Sequence, residues 1–281
     1  MPPTQLSSVR SRQVSSELRR LREQAGMTGA EVAETLGMSA SKISRIETGN
    51  RGLHVADVAA LLGLYRVPER RREELLDLVG KADERGWWQS QGTGLPELWK
   101  SLIDFESRAT RIQNYEALVV PGMLQTADYT AAVISGINKA VTEAELGNLV
   151  ASRMARQSLL RRFGLSFLAV IDEGALHRAI GEPGVVRRQL RHLADIAEHP
   201  SITIRVVPLA TGAHAGLRGP FVILDFADEP SIVHIENHAT SLFLEEKEDL
   251  AAYRMALGNI LNETLTPAGS AELIAALAGQ T

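Results

Sequence analysis

The sequence predicts two domains of different class: an all-α, five-helix head, and a mixed α+β body with a mostly antiparallel sheet. Three observations predict it. From residue 14 to 82, apolar residues recur at helical spacing, broken by glycines and capping residues. Periodicity then lapses in R-G-W-W-Q-S-Q-G-T-G-L, residues 85–95. From Pro96 onward, helical stretches alternate with short strand-like runs, and the last three runs follow one another through short turns. The expected organisation is a flexible arm over 1–12, the head over 13–84, a linker over 85–95 and the body over 96–281.

In the head, Val14, Leu18, Leu21 and Ala25 share one face of a first helix, and Gly26 stands at its C-terminal cap. Thr28 caps a second helix, with Glu31 three residues on to complete a capping box. Val32, Ala33 and Leu36 face inward, and Gly37 ends it. Ser39 caps a third short helix that runs to Glu47, and Gly49 closes it. Val55, Val58, Ala59 and Leu62 give a fourth helix its inward face. Pro68 opens a charged fifth one to about Ala82. Trp87 and Trp88 are read as pinning the linker against a domain rather than stacking on bases.

In the body, helical periodicity covers 96–112, 124–135, 142–162, 184–198, 246–263 and 269–278. The strand-like runs are 117–120, 165–171, 202–207, 221–226, 231–236 and 240–244, and the last three predict an antiparallel meander.

Composition limits the options. The 281 residues include no Cys, which excludes disulfides and thiolate metal sites and suits a reducing cytoplasm. The N-terminus has no apolar signal core, and no run approaches the ~18 apolar residues of a membrane helix. The expected location is the cytoplasm. Arg outnumbers Lys by 25 to 5 in an Ala-, Gly- and Leu-rich chain, a bias that suggests a high-GC bacterium. Net charge is −4, but it is unevenly spread. Residues 1–66 hold nine Lys/Arg against six Asp/Glu, whereas 86–281 hold sixteen against twenty-two. A mildly basic head precedes an acidic body.

The second and third helices have the spacing of a helix-turn-helix. In the third, Ile43 and Ile46 face inward, while Ala40, Ser41, Ser44 and Arg45 project the other way. A helix with small polar residues opposite one apolar stripe can approach base edges closely. The segments L-R-R-L-R-E-Q-A-G-M-T and E-V-A-E-T-L-G-M-S-A-S-K-I-S-R-I-E-T-G-N-R, within residues 14–66, resemble the Cro/C1 (XRE-type) helix-turn-helix. The resemblance implies a structural pair between Arg22 and Glu47. It places Ala40, Ser41, Ser44 and Arg45 against bases, and Thr28, Lys42, Asn50 and Arg51 against phosphates. Arg45 is the one base-facing side chain able to bond guanine O6 and N7 bidentately. The family often carries Gln as the first residue of the second helix, where this chain has Gly29. One anchoring contact is thereby absent.

The body carries P-G-M-L-Q-T-A-D-Y (121–129), R-M-A-R-Q (153–157), V-I-D-E-G-A-L-H-R (170–178), Q-L-R-H-L (189–193), I-R-V-V-P (204–208) and H-A-G-L-R-G-P-F (214–221). From about Trp87 to the end it resembles the domain found behind XRE heads in many actinobacterial regulators. Some of these are antitoxin-like members of Scr-type toxin–antitoxin pairs. The resemblance implies a regulator of transcription, often encoded beside a short partner protein.

Three clusters in the body are chemically suggestive. His234, Glu236 and His238 have i, i+2, i+4 spacing, which suits metal ligation or a polar strand face lining a groove; the groove is preferred and no metal is expected. The loop 210–220, with His214 and Arg218, reads either as a lid over a binding groove or as a long hairpin connection. Asp172-Glu173 read as a helix start rather than an acid/base pair. No nucleophile elbow, Walker motif or dinucleotide fingerprint is present, so neither an enzyme nor a cofactor is expected. The expected partners are double-stranded DNA, a second copy of the chain, and a small toxin-like protein, with no membrane. The alternative is a small-molecule sensor with a groove at His214, Arg218, His234 and Glu236.

Overall fold

The computed structural model describes residues 9–49, 53–80, 87–90, 95–237 and 240–280. Contacts divide the chain at Trp88/Gln89 into two units. The first contains α1 (Val9–Gln24), α2 (Gly29–Thr35), α3 (Ala40–Thr48), α4 (Val55–Leu64) and α5 (Glu69–Gly80). Local chemistry sets their ends. Thr28 and Glu31 form the reciprocal capping box on α2, and the Ser39 hydroxyl accepts from the Lys42 N–H at the start of α3. Gly37 has φ +63° in the turn between them, a left-handed conformation that a side chain would strain. Val14, Leu18, Val32, Ile43, Ile46, Val58, Leu61, Leu62 and Leu75 form one buried core.

Helix α1 begins at Val9, inside the segment expected as an arm. Ser11 and Ser15 are buried, so its inward face continues through residues too polar to register as hydrophobic periodicity. The rest of the arm, 1–8, and the end of the fifth helix at Ala82 lie outside the described residues.

The division falls within β1 (Trp87–Ser90), and the second unit goes on through α6 (Leu95–Arg108), β2 (Arg111–Glu116), α7 (Ala127–Ile137), α8 (Glu143–Gln157), β3 (Ser166–Asp172), α9 (Glu173–His177), α10 (Val185–Ile196), β4 (Ile202–Val207), β5 (Phe221–Asp225), β6 (Ile232–Glu236), β7 (Thr240–Leu244), α11 (Lys247–Asn262) and α12 (Pro267–Gln280). The boundary residues of β1 belong to the segment expected as a linker. Its composition suits a strand, since aromatic residues favour extended backbone, and the side chains of Trp87 and Trp88 lie outside the described set. The strands order as β1-β7-β6-β5-β2-β3-β4. β2/β5, β5/β6 and β6/β7 pair antiparallel; β2/β3 and β3/β4 pair parallel, their crossovers made by α7–α8 and α9–α10.

The expected strand at 117–120 is a bend; the strand is β2, just before it, whose first two residues lie in the stretch expected to end a helix. R-I-Q-N-Y-E alternates weakly because Gln113 and Asn114 are buried in mid-sheet, where Gln113 donates to Asp225 at 3.2 Å and Asn114 to the Phe221 carbonyl at 3.4 Å. Tyr115, Val170, Phe221, Ile223 and Val233 line one sheet face, packed by Leu257 and Ile260 of α11. Asn114, Val222, His234 and Phe243 are register neighbours on the other, where Phe105 of α6 stacks on Phe243 at 5.2 Å. The outer edge of β4 is closed by the chain around α12: the Val206 N–H donates to the Ser270 hydroxyl at 3.0 Å, and the Val206 carbonyl accepts from the Leu265 N–H at 2.8 Å.

Candidate nucleic-acid interface

Helix α3 is held by two kinds of contact. Ile43 and Ile46 are buried on its inner side, each contributing roughly 1.5–3 kcal/mol of burial. Arg22 of α1 then fixes its far end. Arg22 Nε and Nη2 donate to the two Glu47 carboxylate oxygens at 2.7 and 3.0 Å, while Nη1 donates to the Met27 carbonyl at 2.7 Å. The hydrogen bond to Glu47 raises the Arg22 pKa further. The Tyr65 hydroxyl is also near this pair, and burial pushes it up to about 12. A bidentate, mostly buried pair sets helix orientation as well as attachment.

Fixed this way, α3 turns Ala40, Ser41, Ser44 and Arg45 outward, all four exposed. Arg45 Nε donates to the Ser41 carbonyl at 3.2 Å, laying the side chain back along its own helix. Thr28 is exposed too, but its hydroxyl is engaged in the capping box, donating to Glu31 at 2.8 Å. Lys42 pairs with Asp57 of α4 at 2.7 Å, so a phosphate there would compete with Asp57. Asn50 and Arg51 lie outside the described residues. Beside α3 opens a cleft of about 320 Å³, bounded by Arg19 and Arg22, by Gly29 at the start of α2, and by Ala40 and Ser44.

The four residues expected to share a groove in the body do not converge. His214 stacks edge-on against Tyr115 at 6.3 Å, and Arg218 lies near Tyr253 of α11, both on the α11 face. His234 and Glu236 lie on the opposite face, because successive side chains of a strand alternate and His234 is in register with Val222 and Phe243. His234 is buried, bonds the Ser241 hydroxyl at 2.8 Å and is pushed down to about 3 by burial. His238 lies outside the described residues, and among the described ones no cluster of three His, Cys, Asp or Glu is arranged for a metal ion. The loop 210–220 is not a hairpin, since β5 pairs with β2 rather than with β4. His214 Nε2 meets Asp172 at 3.2 Å, and Gly216 sits so close to Tyr115 that a Cβ there would lie 2.2 Å from the phenol oxygen. Asp172 caps α9 by accepting from the Gly174 N–H at 3.0 Å.

A second cluster was not visible in the sequence. On the His234 face, Arg156 of α8 bonds buried Glu106 with two nitrogens at 2.7 and 2.8 Å. Arg153, one turn earlier, donates to Gln125 at 2.8 Å, and burial lowers its pKa to about 10. Glu116 at the end of β2 is pushed up to about 7, first by burial and then by Glu236. Charges dispersed along the sequence over Glu106, Glu116, Arg153, Arg156 and Glu236 show no common spacing, so only the fold reveals the cluster.

A helix-turn-helix domain model matches residues 13–75, and the model described as Domain of unknown function (DUF5753) matches residues 99–276, more than half the chain. The chain belongs to the DUF5753 family. Neither a curated protein nor a solved structure matches it. The head is thus a helix-turn-helix domain, which supports a DNA-binding regulator of transcription, and the DUF5753 body is the family-defining part. No helix among the described residues is long and apolar enough to cross a membrane.

Proposed function

We propose that this DUF5753 protein is a sequence-specific, cytoplasmic transcriptional repressor. In this reading it binds DNA as a homodimer through the head (13–84) and receives a small basic partner protein on the body (96–281), in the manner of an antitoxin. The observation that carries the DNA part is the outer face of α3. Four exposed residues, three of them small, stand on a helix held from behind by Ile43, Ile46 and the Arg22–Glu47 pair. Small side chains let the helix seat deeply in a major groove, and Arg45 supplies the bidentate reader. The partner part rests on charge: the body carries twenty-two acidic against sixteen basic residues from 86 to 281. The small-molecule reading has less support, because His214 and Arg218 lie across the sheet from His234 and Glu236.

The test is selection of bound duplexes from a random pool, followed by footprinting. The expected footprint contains two half-sites about 10 base pairs apart, the spacing at which two-fold-related recognition helices meet one side of the duplex. Enrichment of no sequence would remove the base-reading role. Pull-down of the tagged chain from its native lysate, with intact mass spectrometry, tests the body: a short basic protein supports the antitoxin reading, and a bound metabolite the alternative.

A further inference from the structure

We infer that Arg19 is a further DNA-contacting residue, binding a backbone phosphate beside the slot that Gly29 leaves open. The inference rests on the DNA reading above and deepens it. The cleft next to α3 places Arg19 in one wall with Arg22, with Gly29 at the base of α2 and Ala40, Ser44 and Thr48 on the recognition helix. Arg22 is fully committed: Nε, Nη1 and Nη2 all donate within the head, and its charge is met by Glu47. Arg19 is held differently. Its side chain is 62% exposed and its partner is Glu23, an exposed neighbour one turn along the same helix, at 3.0 Å. Such pairs contribute little and exchange readily for a stronger anion.

The slot exists because position 29 has no side chain. A Cβ built there meets only Ile43 Cγ2, at 3.9 Å, an ordinary van der Waals contact, and the backbone is helical. On the α1 side, the wall of this cleft is formed by Arg19 and Arg22. When α3 lies in the major groove, elements flanking it face the groove walls, which are phosphates. Arg19 is therefore assigned to backbone rather than to bases. Its guanidinium exchanges Glu23 for a phosphate oxygen and supplies the anchor that Gly29 does not.

The experiment measures affinity of the full-length protein for its selected operator and for a scrambled duplex of equal length, between about 50 and about 200 mM salt. Arg19→Ala is expected to weaken both duplexes by the same several-fold factor at low salt. It should also make the slope of log K against log salt shallower by about one, so that the deficit shrinks roughly three- to fourfold over that range. Adding Gly29→Gln to Arg19→Ala should restore affinity without restoring the slope, because an amide binds phosphate but releases no counterion. Wild-type affinity and slope in Arg19→Ala would overturn the inference, as would a loss confined to the operator. A double variant no better than Arg19→Ala would overturn the part assigned to Gly29. If the wild-type protein itself binds neither duplex in a salt-dependent way, the DNA reading falls and takes this inference with it. A silent Arg19→Ala beside a binding wild type removes the inference alone.

Discussion

In the proposed complex, Arg45 reads a base and Arg22 holds the reader in place, so substitutions at the two should fail differently. Arg45→Ala removes an exposed side chain and should leave folding intact. It is expected to weaken operator binding by about 1–3 kcal/mol and to broaden base preference at one position in each half-site. Equal loss on operator and scrambled duplex would make Arg45 a phosphate contact instead. Arg22→Ala strands Glu47, whose side chain is only 8% exposed, and should destabilise the head by about 3 kcal/mol. Glu47→Ala should do likewise, and the double variant should lose less than the sum, with a coupling of about 1–3 kcal/mol. Hydrogen exchange of the α1 and α3 amides reads this directly. Fully additive losses would reduce the pair to two independent surface charges. The outward direction of Arg45 is legible from the spacing of Ile43 and Ile46 on its own helix, whereas the Arg22–Glu47 pair, whose partners lie on different helices, is implied by the helix-turn-helix resemblance alone. Lys42 illustrates the limit: its Asp57 partner lies fifteen residues away on another helix, and no local pattern announces it.

At the scale of elements, the body's sequence motifs turn out to be sites of mutual attachment. P-G-M-L-Q-T-A-D-Y supplies Gln125, whose side chain donates to the Val120 carbonyl and accepts from Thr130 and from Arg153 of R-M-A-R-Q. Gln157 of the same segment donates to the Gln125 carbonyl at 2.5 Å. Q-L-R-H-L supplies Gln189, which donates to the Leu124 carbonyl and accepts from the Thr126 N–H. V-I-D-E-G-A-L-H-R meets H-A-G-L-R-G-P-F through Asp172 and His214. These segments carry the resemblance in the sequence, and in the fold their polar side chains bond main-chain groups and one another between elements. Strand β2 was misread because its burial is carried by Gln113 and Asn114, which look like loop residues until the sheet closes over them.

The cluster over the His234 face makes a prediction in pH. Burial raises the Glu116 pKa to about 7, above an unfolded value of about 4.3. A raised folded pKa means that protonation favours the folded body. That contribution is complete below about pH 4.3 and lost as pH rises through about 7. His234, pushed down to about 3, has the opposite sign: its contribution is present above about 6.5 and lost on acidification. Glu116→Gln keeps the neutral form at every pH and leaves His234 unchanged. Urea unfolding should therefore give nearly equal stability for variant and wild type near pH 4. Near pH 8 the variant should be more stable by on the order of 2 kcal/mol. A difference independent of pH would mean that Glu116 titrates as an ordinary surface carboxylate.

At the scale of the molecule, a basic stretch over residues 1–66, nine Lys/Arg against six Asp/Glu, is joined to an acidic body, and the two have opposite preferences for polyanions. With few phosphate anchors in each head, two heads linked through their bodies would gain by effective concentration what one head lacks. The sequence shows this division of charge at once, since it needs only counting along the chain. It does not show which surface of the body meets another protein, because such a surface is assembled from distant segments and carries no local spacing. The central claim, that the head reads DNA sequence, is tested most directly by titrating the full-length protein against its selected operator and a scrambled duplex over a range of salt. The account predicts operator binding tighter by roughly a thousandfold or more, with log K falling linearly as log salt rises. Equal affinity for the two duplexes, or binding indifferent to salt, would contradict it.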